Sequence, residues 1–206
     1  DKAYSLANDI EENIPNLVRQ FILNIWCFEN AMVEAPIGDT VSEVPEAWIP
    51  ELPPEILDEY PEVRLVIQMR RQSEASLRMH LGQYSDAAEI YGYLIEESRS
   101  DGEVLIAQYY LGLAACEYNL DFRDKAMVNL ENAGLSIASS GKTLQRAKVA
   151  STLHAFYKFL KMDQEAAGWE AFIDRLPCPK ATKDLYKKRA ALVLGRCVEK
   201  TQLLLV

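Results

Sequence analysis

The chain has 206 residues, of which 49% are hydrophobic and 26% charged, and its net charge is −9. That balance supports a packed core and excludes wholesale disorder. It also excludes the basic footprint of a nucleic-acid-binding domain, so direct contact with DNA or RNA is not expected.

Residues 1–35 read as two helices, a weaker one over about 3–13 and a second that starts at Pro15 with Asn13 as its cap. The second runs through Leu17, Phe21, Ile25, Phe28 and Met32. So broad an apolar face needs a covering surface, most simply the helices further along. Asn24, Glu29 and Asn30 interrupt its most apolar stretch, so no membrane span is expected. No signal peptide is legible.

The composition then changes. Residues 36–62 carry six prolines and eight acidic residues, and no lysine or arginine lies between Arg19 and Arg64. The segment 36–61 is therefore an acidic, proline-rich linker, of a length that is unusual inside a compact domain. Trp48, Ile49, Leu52, Ile56, Leu57 and Tyr60 interleave with the acids. Part of it is thus expected to lie pinned on a surface, with a short helix near 55–59. Two readings stand: a linker crossing the outside of the fold, or a segment occupying a groove of the same chain with Trp48 as its anchor.

From 62 onward the chain is helical, with helices predicted over about 62–81, 84–98, 102–119, 123–139, 143–160, 164–175 and 181–204. Ser85, Asp86 and Asp124 offer N-cap chemistry to the second and fourth of these. Ser139-Ser140-Gly141 reads as a helix-ending turn. Gly141-Lys142-Thr143 imitates the end of a phosphate-binding loop, but Ser136 stands where that motif needs its first glycine and the preceding segment is not a strand.

An alanine recurs in one context at Ala87, Ala126 and Ala166, at spacings of 39 and 40 residues. Each follows a short turn: Leu81-Gly82-Gln83, Leu120-Asp121-Phe122, Leu160-Lys161-Met162. Thirteen residues before each alanine begin Glu74-Ala75, Leu113-Ala114 and Leu153-His154, and Leu194-Gly195 repeats the element once more. A fixed period of this size marks a helical repeat array, whose units bury their apolar faces by stacking.

These residues resemble the tetratricopeptide (TPR) family. Ala75, Ala114, Gly195, Ala87, Ala126 and Ala166 match its small positions; Leu113, Leu153, Tyr84, Phe122, Tyr91 and Leu130 match its large ones. The chain departs from that family in its longer period, in Glu74 and His154, and in lacking a closing proline after the first two units. The resemblance implies an all-α fold: a TPR-like right-handed α-solenoid of helix pairs, preceded by the N-terminal helices and the linker. Its units are about 62–101, 102–141 and 142–180, with a capping helix over 181–206. That last helix ends in an apolar tail, Leu203 to Val206; either the helix is a cap folded onto the third unit, or a continuation of the chain or a partner subunit is expected to cover it.

Four scattered cysteines, Cys27, Cys116, Cys178 and Cys197, form no Cys-x-x-Cys pair and read as reduced thiols. This favours an intracellular location, cytoplasmic or nuclear. The two histidines, His80 and His154, belong to no metal-ligand spacing, and His154 is expected to be packed in its repeat slot. No nucleophile–base set is legible, so neither catalysis nor a cofactor is expected.

Function in such arrays lies on the face lined by the first helices. Arg64, Arg71 and Arg78 recur every seven residues, Arg146 and Lys148 open the fifth helix, and Tyr109 and Tyr110 stand on the third, where at least one must be core. With Trp48, the residues Arg64, Arg71, Arg78, Tyr109, Tyr110 and Lys148 are the expected contacts for a protein or peptide partner, an acidic one by charge. Resemblance to chaperone-binding TPR proteins would require a two-carboxylate clamp. Lys148 fits one clamp position, but Gln72, Ser76, Gly112 and Thr152 occupy others, which disfavours that docking mode. A second basic segment, Lys180 to Lys200, is expected to be solvated, or to meet the acidic linker or an acidic partner. The expected function is a non-enzymatic adaptor within a larger complex; the alternative is a self-associating spacer that forms homo-oligomers through its apolar ends.

Overall fold

The structure is a computed structural model that describes residues 61–98, 103–138 and 143–203. The helices expected in 1–35, and the linker with Trp48, lie outside the described residues. Among the described residues there are seven helices and no strand. They are α1 Pro61–His80, α2 Tyr84–Glu97, α3 Glu103–Asn119, α4 Arg123–Ala138, α5 Thr143–Phe159, α6 Asp163–Arg175 and α7 Lys180–Leu203. Each begins and ends within one residue of the sequence expectation. The chain divides within α1 into two compact units, Asp1–Leu77 and Arg78–Val206. In the first unit Ile67, Gln68, Arg70, Ala75 and Leu77 are buried, and Arg70 lies 3.6 Å from Glu74 one turn further along α1.

The second unit contains three turns of identical construction. Gly82, Asp121 and Lys161 sit at φ of 81°, 64° and 61°. Each donates its N–H to the carbonyl three residues back, on Met79, Tyr118 and Lys158, at 3.1 Å. The next residue, Gln83, Phe122 or Met162, donates to the carbonyl five back, at 2.8–2.9 Å. This double closure satisfies the last carbonyls of the helix. The same residue then accepts the N–H of Ala87, Ala126 or Ala166 at 3.0–3.1 Å. One residue thus ends a helix and starts the next.

That economy corrects the expected caps. Gln83, Phe122 and Met162 hold the cap position, and Gln83 and Met162 make no side-chain cap bond. Ser85, Asp86 and Asp124 fall inside the first turn, where the two carboxylates face the positive end of the helix dipole.

The short turns fold α3 back on α4 and α5 back on α6 as antiparallel hairpins. Further contacts join α2 to α3, α3 and α4 to α5, and α5 to α7. One core runs through α3 to α7, and includes Leu130, Ile137, Leu153 and Ile173. Full burial of each contributes about 1.5–3 kcal/mol. The repeat alanines Ala87, Ala114, Ala126 and Ala166 are all buried. His154, in a slot otherwise filled by a small residue, is half-buried and has Nδ1 2.9 Å from the Ala166 carbonyl. A carbonyl only accepts, so Nδ1 carries the proton and the histidine ties α5 to α6. Cys116, buried, and Cys178, half-buried, are not joined in a disulfide.

Two glycines let aromatic rings approach a helix backbone. The Tyr91 ring of α2 lies on Gly112 of α3, and the Trp169 ring of α6 lies on Gly134 of α4. A Cβ on Gly112 would meet Tyr91 Cε1 and Cε2 at 2.6 Å, and one on Gly134 would meet Trp169 Cζ2 at 2.6 Å. Around Gly168, by contrast, nothing lies within 4 Å of that position.

Gly112→Ala should therefore lower stability by about 1–3 kcal/mol through overpacking, more than the helix gains from losing a glycine. Gly168→Ala should raise it by about 0.5–1 kcal/mol, and urea unfolding of the two variants checks the opposite signs. Lys161→Gly should also stabilise, by up to about 1 kcal/mol, because an L-residue in the left-handed region is strained.

Candidate partner-binding surface

The 41-residue step that matches Leu153 to Leu194 aligns α5 with α7 along their lengths. Buried positions match: Val149 with Ala190, Leu153 with Leu194. So do exposed ones. Leu144 of α5 and Leu185 of α7 are 53% and 45% exposed. One turn further on, Lys148 and Arg189 are both exposed. Two helices in contact thus present the same pair, an uncovered leucine followed by a cation. On α3 the matching position is Gln108, half-buried and neutral. A cation beside exposed apolar area suits an acidic segment that also carries apolar side chains.

The remaining lysines of α7 differ in their engagement. Lys183 Nζ donates to the Asp174 carbonyl at 2.7 Å, and Lys187 Nζ lies 2.9 Å from Glu170 and 3.7 Å from Asp174. The hydrogen bond and charge of Lys187 hold the Glu170 carboxyl below its ordinary range. Both lysines therefore fasten α7 to α6. Lys188 and Arg189 are exposed and make no ion pair among the described residues.

The residues expected from sequence fare unequally. Lys148 is exposed on α5 and Tyr110 is half-buried against the core. Arg78 is claimed by Asp86 at 3.0 Å and by Gln83 at 3.4 Å, across the first turn. Arg64 and Arg71 are half-buried, already engaged within the chain, and belong to the first unit. Arg146 stacks over Phe172 at 5.1 Å instead of pointing away with Lys148.

Tyr109 corrects the expectation outright: it is wholly buried and cannot touch a partner in this fold. Its hydroxyl and that of Ser98 are both buried without a well-formed hydrogen bond. Burial, and then the charge of Glu97, push the Tyr109 phenol up to about 12, against a slight opposing effect of Ser98.

Leu144 and Leu185 escaped the sequence reading, whereas Arg189 lay in the basic segment expected over 180–200. The signal was present in the 41-residue register, which pairs each with its counterpart, but exposure is not legible from a register. No helix among the described residues is long and apolar enough to cross a membrane. No protein-family model matches the chain, and no curated protein and no solved structure matches it.

The Tyr109 environment fixes an alkaline response. The unfolded phenol ionises near 10.0 and the folded one at about 12, so its contribution to stability is complete below pH 10 and is lost as pH rises toward 12. Tyr109→Phe should flatten that part of the stability–pH curve and leave stability at pH 7 unchanged or about 1 kcal/mol higher, since the lost hydroxyl had no proper partner. Denaturant melts at pH 7, 10 and 11 read both effects.

Proposed function

We propose that the chain is a non-enzymatic scaffold whose second unit stacks its helix pairs as a TPR-like, right-handed α-solenoid and holds a protein partner on the outward side of its first helices. The observation that carries this reading is the repeated leucine–cation pair, Leu144 with Lys148 and Leu185 with Arg189, on two helices in contact. Exposed leucines cost solvation unless something covers them, and their repetition at one register is more than scattered surface hydrophobicity. The partner segment is acidic and partly apolar, so that its carboxylates meet Lys148 and Arg189 while its apolar groups cover the leucines. Tyr110 packs half-buried against the core and does not belong to this register. Arg78 is a poor contributor, because Asp86 already neutralises it.

The test is affinity capture from cell extract with the chain and its Lys148→Glu/Arg189→Glu form. A partner retained by the first and reduced tenfold or more by the second supports the reading, provided circular dichroism shows equal helix content. Equal capture by both forms sinks it. Mass that rises with protein concentration, without a captured partner, would favour a self-associating spacer instead.

A further inference from the structure

Helices α4 and α6 meet where the Trp169 ring lies on Gly134. One turn before that contact each helix carries a glutamate, Glu131 on α4 and Glu165 on α6. Both are exposed, and neither makes an ion pair among the described residues. The side chain of Tyr157, from α5, ends beside them. Its ring belongs to the core and the residue is only 4% exposed, yet its hydroxyl makes no hydrogen bond among the described residues. Unlike that of Tyr109, this hydroxyl is not sealed from solvent. Burial, and then the charges of Glu131 and Glu165, push the Tyr157 phenol above its ordinary value. Three helices thus bring two carboxylates and an unpartnered hydroxyl to one notch.

Like charges brought together oppose folding unless something else uses them. Glu165 lies in the first turn of α6, where the helix dipole favours it, but Glu131 sits in the middle of α4. The flanks of Glu131 add apolar surface. Val128 and Leu135 stand three residues before it and four after, on one outward stripe of α4, and are 55% and 72% exposed. The repeat does not require them. Its 39- and 40-residue steps match the pair with Glu89 and Glu96 of α2 and with Gly168 and Arg175 of α6, all exposed.

We propose that this notch seats an amphipathic helix of a partner protein, with one arginine between Glu131 and Glu165 and two apolar side chains laid on Val128 and Leu135. The site is separate from the leucine–cation face and takes the opposite charge, so neither stands on the other. Arginine fits better than lysine, because its planar guanidinium has donors enough for both carboxylates and the Tyr157 hydroxyl at once. A helix is called for because Val128, Glu131 and Leu135 follow helical spacing, which a facing helix matches turn by turn. The chain's own α7 carries Leu185, Arg189 and Leu192 in such a pattern. Two copies at a net charge of −9 each repel on approach, however, so the occupant is another protein.

The probe is an alanine-rich synthetic peptide of about sixteen residues, long enough to be helical in water, whose two leucines lie two turns apart and flank a single arginine. Titrated into the full chain labelled with ¹⁵N, it should shift the amides of Val128, Glu131, Leu135 and Glu165. Citrulline in place of the arginine keeps the shape without the charge and should weaken binding about tenfold or more. Glu131→Gln/Glu165→Gln should weaken it equally while leaving the chain as stable or more so in urea, an outcome that a pair serving only the fold would not give. Leu135→Ser should also weaken it with helix content unchanged, and Lys148→Glu/Arg189→Glu should leave it as it was. The proposal is overturned by shifts absent up to millimolar peptide, by equal binding of the citrulline peptide or to the glutamine variant, or by binding that needs Lys148 and Arg189. Mass that rises with concentration, and no longer does so in either Glu131→Gln or Leu192→Ser, would give the notch to a second copy and overturn it too.

Discussion

Each hairpin of the second unit depends on one residue held at positive φ. With Gly82, Asp121 or Lys161 in the left-handed region, the chain reverses in three residues and the last carbonyls of the preceding helix find partners. A looser turn would let the two helices slide, and the buried alanines would lose their register. Close approach follows from that register: Ala126 and Ala166 sit at the start of second helices, and Ala114 and His154 answer from the first. The glycine–aromatic contacts at Gly112 and Gly134 then lock one pair against the next.

Most of the helical framework was legible because it is local. Turn residues, apolar periodicity and the 39- and 40-residue spacing placed all seven helices within a residue of their observed ends. The caps were misread for a local reason too. Side-chain chemistry at Ser85, Asp86 and Asp124 advertised a cap that the backbone had already closed. The candidate surface was less legible, since it depends on which neighbour each side chain meets. Arg78 meets Asp86, Arg146 meets Phe172, and Tyr109 turns inward while adjacent Tyr110 stays half-exposed. Helical spacing predicts that one of two neighbouring tyrosines is core but does not say which. The acidic segment and Trp48 lie outside the described residues, so their role is untouched by these contacts.

The charge pattern has two layers. Lys183 and Lys187 are internal fasteners, spent on the Asp174 carbonyl and on Glu170. Lys148, Lys188 and Arg189 are exposed. An acidic chain that keeps exposed cations beside uncovered leucines has a surface of opposite sign to its net charge. Such a patch gains more from orienting an incoming acidic segment than from raw affinity, because exposed pairs are weak individually and screened by salt.

The anchoring of α7 bears on the lifetime of the molecule in a cell. Ala190, Leu194 and two lysines anchor α7, and local opening of such a helix would uncover part of the core cluster that holds Leu194. On the proposed scaffold reading, a partner that binds only the closed form suppresses opening by RT ln(1 + [L]/Kd). Under that reading occupancy and turnover are coupled: a molecule without its partner would present the handle that proteases and chaperones read, and one in a complex would conceal it. Stoichiometry between the chain and its partner can then be kept by selective clearance of the unassembled excess, with no dedicated regulator.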